Sequence, residues 1–361
     1  MEKSVKKRMA ELGVGKGGGV YLQVDENVIR RAVIRALEEK GVILLDLEEA
    51  LDELPEAKRA YWSAFKGRLD GALKRAKELE EHGVVLYVPR EVKVDLPVQA
   101  CFLISKRGFE QVVHNLIIVG DEAELTINTA CAAIAGETLH LGVTEMFVGR
   151  RAKLSYVMVH GWVSTSRVNP RTAAIVEEGG SLTMFYANLK PVAVIEASTT
   201  IRLRSGADAS LSSVLVGKGA SRIRVGGRIV LEESGARGEL VSRAIASGSS
   251  RIELPTALIA TAPKVKGHIE CRGLQLSRES KIVSIPLLRS LVGDVELTHE
   301  ASIGRLSEEE LLYLQSRGFS EDEALSLLIR GFAEVGVDKL PEALKPQVRV
   351  VLDAIARYAH G

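Results

Sequence analysis

A small residue, one polar residue and then Leu or Ile recur seven times between residues 123 and 297, with Val295 replacing the small residue in the last copy. The apolar anchors are Leu125, Leu154, Leu182, Leu211, Leu240, Ile269 and Leu297, and successive anchor numbers differ by 29, 28, 29, 29, 29 and 28. A fixed period of this length marks a repeat architecture. Turn-like residues precede most anchors, as at Gly149-Arg150-Arg151, Gly179-Gly180 and Ser234-Gly235. A second extended run lies between anchors, such as Arg228-Ile229-Val230-Leu231. One repeat therefore holds about two strands plus turns. A ladder of hairpins would favour Asn-Gly or Asp-Gly turns between the runs, and there are none. The repeat predicts a parallel β-helix, one coil per repeat, in which equivalent residues stack on the next coil.

The flanks differ in texture. Residues 1–83 are charged and largely helical in pattern, residues 84–305 form the β-helix core, and residues 306–361 return to helical spacing. Residues 36–40 close one amphipathic stretch, and residues 72–82 form another before Gly83. Ser307-Glu308-Glu309-Glu310 and Ser320-Glu321-Asp322-Glu323 are capping-box patterns. The open ends of a β-helix need covers, and the two helical zones are expected to supply them. The glycine-rich residues 13–19 lack the order of a phosphate loop and read as a linker or turn.

Composition narrows the function. With 48 Lys and Arg against 47 Asp and Glu, the net charge is +1, so there is no global field for nucleic acid or anionic membrane. No apolar run reaches the ~18 residues of a membrane span. The N-terminus carries no signal-type apolar core, and a cytoplasmic protein is expected. The three cysteines, Cys101, Cys131 and Cys271, are too sparse for a disulfide framework and make no CxxC.

Two residues after each anchor stand Ile127, Tyr156, Met184, Ser213, Ser242, Cys271 and His299. With coils in register, Cys271 and His299 are stacked neighbours about 4.8 Å apart. Thiolate and imidazole both ligate transition metals. Glu300 follows on the opposite face. Taken singly, Cys271 reads as a small core residue and His299 as a structural imidazole; stacked together beside Glu300, they read equally as ligands. Cys131 and His140 are open to the same two readings. Cys101, in an apolar strand pattern, is a core residue, and Trp162 is packing.

His299-Glu300-Ala301-Ser302, followed by residues 306–324 with their Tyr313-Leu314-Gln315-Ser316-Arg317-Gly318 and then Arg330-Gly331-Phe332, resembles the C-terminal signature of the SufB/SufD iron–sulfur assembly scaffolds. Tyr87-Val88-Pro89-Arg90-Glu91-Val92 looks like that family's lead-in to its β-domain, and the likeness spans about residues 30–355. It implies a mainly β protein, a right-handed parallel β-helix flanked by N- and C-terminal α-helical segments. Cys271 and Glu300 tilt the chain toward the SufB type, in a single-gene archaeal-type version. Cys131 and His140 match a cysteine and a downstream histidine near the start of the family's β-helix. The Thr-Ala-Pro that follows the family's cysteine is replaced here by Ala132-Ala133-Ile134, and the N-terminal CxxC-type motif of some members is absent.

The resemblance implies a cluster-assembly scaffold rather than an enzyme. Persulfide sulfur would be accepted at Cys131, with His140 in support, and relayed to a dimer-interface site. There Cys271, with His299 or Glu300, would hold transient iron and a transient iron–sulfur cluster. Helices near 307–345, carrying Leu311, Leu314, Arg317, Phe319, Leu328 and Phe332, would bind a SufC-type ABC ATPase. The second subunit would be another copy or a paralogous SufB or SufD. The family also binds reduced flavin, for which no residue here stands out. One alternative is a SufD-like subunit that recruits the ATPase without building a cluster. A more distant one is a β-helix carbohydrate enzyme, disfavoured by 4% aromatic content and by the lack of a paired-carboxylate column.

Overall fold

A computed structural model describes residues 17–67, 69–79, 82–190 and 192–360. The charged extreme N-terminus, residues 13–16 of the glycine-rich stretch and Glu80-Glu81 lie outside these. Among the described residues the chain winds into a parallel β-solenoid with two ten-stranded sheets facing each other. Sheet I includes Val98–Ile104, Glu124–Ala133, Lys153–Gly161, Ser181–Asn188, Asp208–Gly217, Arg237–Ala246, Val265–Gln275 and Val295–Arg305. Sheet II includes Val84–Val88, Glu110–Val119, Leu139–Val148, Arg171–Val176, Val194–Leu203, Arg222–Leu231, Arg251–Ala260 and Lys281–Ser290.

Strand alternation sends every second side chain into the solenoid. Leu125, Leu154, Leu182, Leu240 and Ile269 point inward and are buried in one continuous core. The coils are not of equal length, however. One is short, so that Leu182 pairs with Ala209 rather than with Leu211. The last is long, so that Arg251 pairs with Lys281 and Ile269 with His299 rather than with Leu297. The expected anchor column therefore breaks twice. Leu211 stacks on Met184, and Leu297 stacks beside Gly267.

The N-terminal zone is not wholly helical. Gly19–Val24 and Asn27–Val33 form an antiparallel pair that extends sheet I, and Ile43–Asp46 runs antiparallel to Val84–Val88 on sheet II. The helices Leu47–Glu53, Pro55–Ala60 and Gly71–Leu79 cover the outer face of sheet II's first coils.

The C-terminal helices do not close the far end of the solenoid. Glu308–Ser316, Glu321–Ala333 and Lys345–His360 fold back. The last of them lays Val348, Val351, Leu352 and Ile355 on the outer face of sheet I, over Cys101, Ala130, Val159 and Val214. This explains why Cys101 is core although it faces away from the interior. Gln347 accepts from Asn128 Nδ2 at 3.0 Å, and Gly336 sits so close to Ser212 that a Cβ would lie 2.1 Å from its Oγ. The final coil is left open. Its strands Lys281–Ser290 and Val295–Arg305 pair with nothing beyond them among the described residues, and Ile285, Leu287, Leu291 and Ile303 are exposed there.

Candidate functional site

Cys271 faces inward from Val265–Gln275, between Ser242 of the preceding coil and Ala301 of the next. It is 1% exposed. Its Sγ lies 4.0 Å from Thr256 Oγ1, across the interior. Glu270 beside it faces outward and bridges Arg243 at 2.8 Å and Arg272 at 2.7 Å.

His299 is not stacked on Cys271. It pairs with Ile269, and Glu300 pairs with Glu270. The turn between the strands of this coil, residues 276–280, is one residue longer than residues 247–250 in the coil before. This coil's register is therefore 30 residues, and the partner of Cys271 is Ala301, two places beyond the His299 that the 28-residue anchor spacing implied. A two-residue slip keeps each side chain on its original face, so His299 still has the inward parity of Cys271. The two Cα positions are about 8 Å apart, one strand over and two residues along. Both His299 and Glu300 are exposed on the open coil. Among the described residues, no three His, Cys, Asp or Glu side chains come together to hold a metal ion.

The second cluster is at the other end. Cys131 is stacked between Phe102 and His160. His160 Nδ1 pairs with the Tyr186 hydroxyl at 2.9 Å, and its ring lies edge-on to Trp162. His140 enters from sheet II, pairs with Gln111 Oε1 at 3.0 Å and packs on Trp162 with ring centres 4.8 Å apart. Gly142 leaves room for it, since a Cβ there would lie 2.9 Å from His140 Nε2. Burial drives His140 down to about 3 and His160 well below the usual imidazole value. Burial, aided by Cys101, pushes the Cys131 thiol up. The cluster thus holds neutral imidazoles and a neutral thiol. His160 was not singled out from the sequence. Its signal lay in the repeat, which sets it one coil after Cys131 and in register with it.

Between the two cysteines runs a continuous inward column. Thr129, Met158, Tyr186, Ser213, Ser242, Cys271 and Ala301 stack in register. Ser213 donates to Ser242 Oγ at 3.0 Å. Beside this column lies an internal cavity of about 40 Å³. Tyr156 and Tyr186 bound it near the Cys131 cluster, and Ser242 and Thr256 bound it next to Cys271. Among the described residues, no charged side chain lines it. Five coil steps separate the two cysteines, about 24 Å at the spacing of paired strands.

The C-terminal helices present a separate surface. Of the residues expected to bind a partner, Phe319 and Arg317 are exposed, with Arg317 packed over the Tyr313 ring at 5.1 Å. Leu311, Leu314 and Leu328 are half-buried. Phe332 turns toward the solenoid, where Arg243 stands over its ring at 5.9 Å. Leu312, Tyr313 and Leu327, at 62%, 56% and 49% exposure, complete the apolar patch. Helical spacing alone does not tell which face meets the solenoid, so they were missed.

A family model described as SUF system FeS cluster assembly, SufBD core domain, matches residues 102–332. The chain is 36% identical over 359 residues to an iron–sulfur cluster assembly SufBD family protein of Archaeoglobus fulgidus, covering 98% of this chain and 95% of the relative. A SufBD family protein of Methanothermobacter thermautotrophicus is 31% identical over 363 residues, 97% of this chain and 87% of the relative. One from Staphylococcus epidermidis is 30% identical over 333 residues, 88% of this chain and 70% of the relative.

Proposed function

Because the chain belongs to the SufBD family, whose role is iron–sulfur cluster assembly, we propose that it is the scaffold on which the cluster is built. The observation that carries this reading is the hydroxyl-lined interior between Cys131 and Cys271. Sulfur enters as a donor persulfide. Its terminal sulfur forms an S–S bond to Cys131 as the donor's S–S bond breaks, and the donor leaves as a thiol with the proton. Converting that sulfur to sulfide takes two electrons, which reduced flavin would supply. The sulfur then moves along the interior to Cys271.

Iron is cargo here. Cys271 would supply a thiolate, and His299 and Glu300 on the open coil would supply nitrogen or oxygen ligands. A cluster held partly by such ligands is bound less firmly than one held by four thiolates, which suits release. A second copy or a paralogous subunit covers the open coil, because an unpaired edge with exposed apolar side chains otherwise invites aggregation. The patch around Leu312, Tyr313, Phe319 and Leu327 docks a SufC-type ATPase, which hydrolyses ATP while this chain does not. The assembly works in the cytoplasm.

The second reading, a SufD-like subunit that recruits the ATPase only, is favoured by one observation: the donors do not converge within one chain, among the described residues. Anaerobic reconstitution with ferrous iron and a sulfide source separates the two. The scaffold reading expects a cluster, by absorbance, Mössbauer spectrum and labile iron and sulfide, that is lost in Cys271→Ser. No cluster in either protein, with ATPase binding intact, would establish the SufD-like role.

A further inference from the structure

The wall of the solenoid is thin at one place on sheet II, in the coil next to Cys271. Ladder pairing between Arg222–Leu231 and Arg251–Ala260 stops after Arg224–Glu253 and resumes at Gly227–Thr256. Pro255 sits in the gap and has no N–H to donate. Opposite it, Gly226 faces outward without a side chain, and a Cβ there would meet the Pro255 carbonyl oxygen at 2.9 Å. Gly227 faces inward, where the atoms nearest to a Cβ would be the side-chain ends of Leu240 and Leu211, at 3.1 and 3.2 Å. Ser198 and Thr199 are their register neighbours on the preceding coil.

Outside this seam lies a groove of about 420 Å³, bordered by Arg171, Glu196, Arg224, Arg228 and Leu287. Inside it lies the interior cavity. The groove and the cavity share Ala197, Ser198, Thr199, Gly226, Gly227 and Thr256 as walls. Thr256 is also the residue in contact with Cys271 Sγ. One layer of backbone with no side chain at two successive positions therefore separates solvent from the cavity beside Cys271.

We propose that this seam is a lateral port through which inorganic sulfide, as hydrogen sulfide, reaches the interior and Cys271 without passing Cys131. The inference rests on reading Cys271 as the cluster-forming thiol. Size and polarity select the ligand. A cavity of about 40 Å³ takes a species of one or two heavy atoms. Among the described residues its walls offer hydroxyl, aliphatic, thioether and aromatic groups but no charge. Neutral hydrogen sulfide crosses such a space, whereas a ferrous ion would lose its water shell with no carboxylate to replace it. Iron therefore reaches the site from the open coil, by a different route.

Hydrogen peroxide, neutral and with two heavy atoms, is the probe of access. It oxidises a thiol to the sulfenic acid and is itself reduced to water. The rate at Cys271 in the full chain is read by trapping the sulfenic acid and analysing the Cys271 peptide by mass spectrometry. Cys101, beneath the C-terminal helix on the far side of sheet I, is the internal reference. Ser198→Trp covers the outer mouth from an exposed position, and Gly227→Val fills the inner one. Each is expected to slow Cys271 oxidation by at least about tenfold relative to Cys101, with the melting temperature of Ser198→Trp unchanged. With inorganic sulfide as the only sulfur source, cluster formation in Ser198→Trp slows in parallel. Oxidation at the parent rate in a folded Ser198→Trp overturns the port, whatever becomes of Gly227→Val, and leaves the scaffold reading untouched. Variant-dependent oxidation in a protein that builds no cluster refutes the scaffold and keeps the port.

Discussion

Glu145 is fully buried on the outer face of sheet II, yet it is the anchor of the N-terminal helical segment. Its two carboxyl oxygens accept from the backbone N–H groups of Trp62 at 2.6 Å and Ala64 at 2.7 Å, and His114 Nε2 lies 2.9 Å from Oε1. Tyr61 stacks on His114 with ring centres 5.0 Å apart. Glu145→Ala removes the acceptor for the two backbone N–H groups and the imidazole at once. A buried donor deprived of its partner costs about 1–3 kcal/mol, so two backbone donors and one imidazole set an upper range of about 3–9 kcal/mol. The segment can lift away and rehydrate before the whole of that is felt. The solenoid core, held by its own ladders, does not need to open. The expected effect is therefore local, about 3–4 kcal/mol, or roughly a 10²- to 10³-fold loss of hydrogen-exchange protection over residues 55–79. Exchange in Asp208–Gly217 and Arg237–Ala246 should be unchanged. Protection over residues 55–79 within about tenfold of the parent would refute the reasoning. So would an equal loss in both regions, since that would make Glu145 part of the core's cooperative unit.

His140 predicts a pH dependence. Folded, it stays neutral until about pH 3 because burial disfavours the imidazolium, while in the unfolded chain it takes up a proton near pH 6.5. The unfolded state thus binds the extra proton between these values, and stability falls as the pH drops from about 6.5 toward 3, at up to about 1.4 kcal/mol per pH unit. His140→Gln should flatten the denaturant midpoint against pH in that window, and an unchanged slope would count against the buried neutral imidazole. Leu287→Lys with Ile303→Lys places charge on the open coil and should turn a dimer into monomers in sedimentation velocity, with the circular dichroism of the folded β-solenoid retained. Leu312→Asp with Tyr313→Ser should weaken ATPase binding by about 10- to 100-fold in titration calorimetry while leaving cluster reconstitution intact.

Much of this was legible in the sequence because the solenoid writes itself twice, in the near-constant period of its anchors and in the alternation within each strand. Leu125, Leu154, Leu240 and Ile269 were inward for the reason read from them. Ser307 and Ser320 cap their helices by accepting from Glu310 N and Glu323 N. What period and alternation could not carry was the exact coil length. Alternating residues look alike at every second position, so a slip of two leaves the pattern intact. This is how Leu182 came to face Ala209 rather than Leu211, and Cys271 to face Ala301 rather than His299. His160 illustrates the converse. As a lone histidine it carries no signal, and only the coil that lays it beside Cys131 makes it part of a site.

The sequence by itself determined the solenoid, its inward and outward faces and the residues on its last coil, because these depend on local periodicity and on burying apolar side chains. The tertiary structure decided where the C-terminal helices go. Their apolar face packs on an apolar outer face of sheet I, around Ala130, Val159 and Val214, and not on the end of the solenoid. The last coil was thereby left open, with His299 and Glu300 exposed on it. The tertiary structure also decided the lengths of the turns, and with them which groups meet across the interior. Turn length depends on how each coil settles on its neighbour, a contact between residues a whole coil apart, such as Leu211 and Leu240, that no short stretch of sequence encodes.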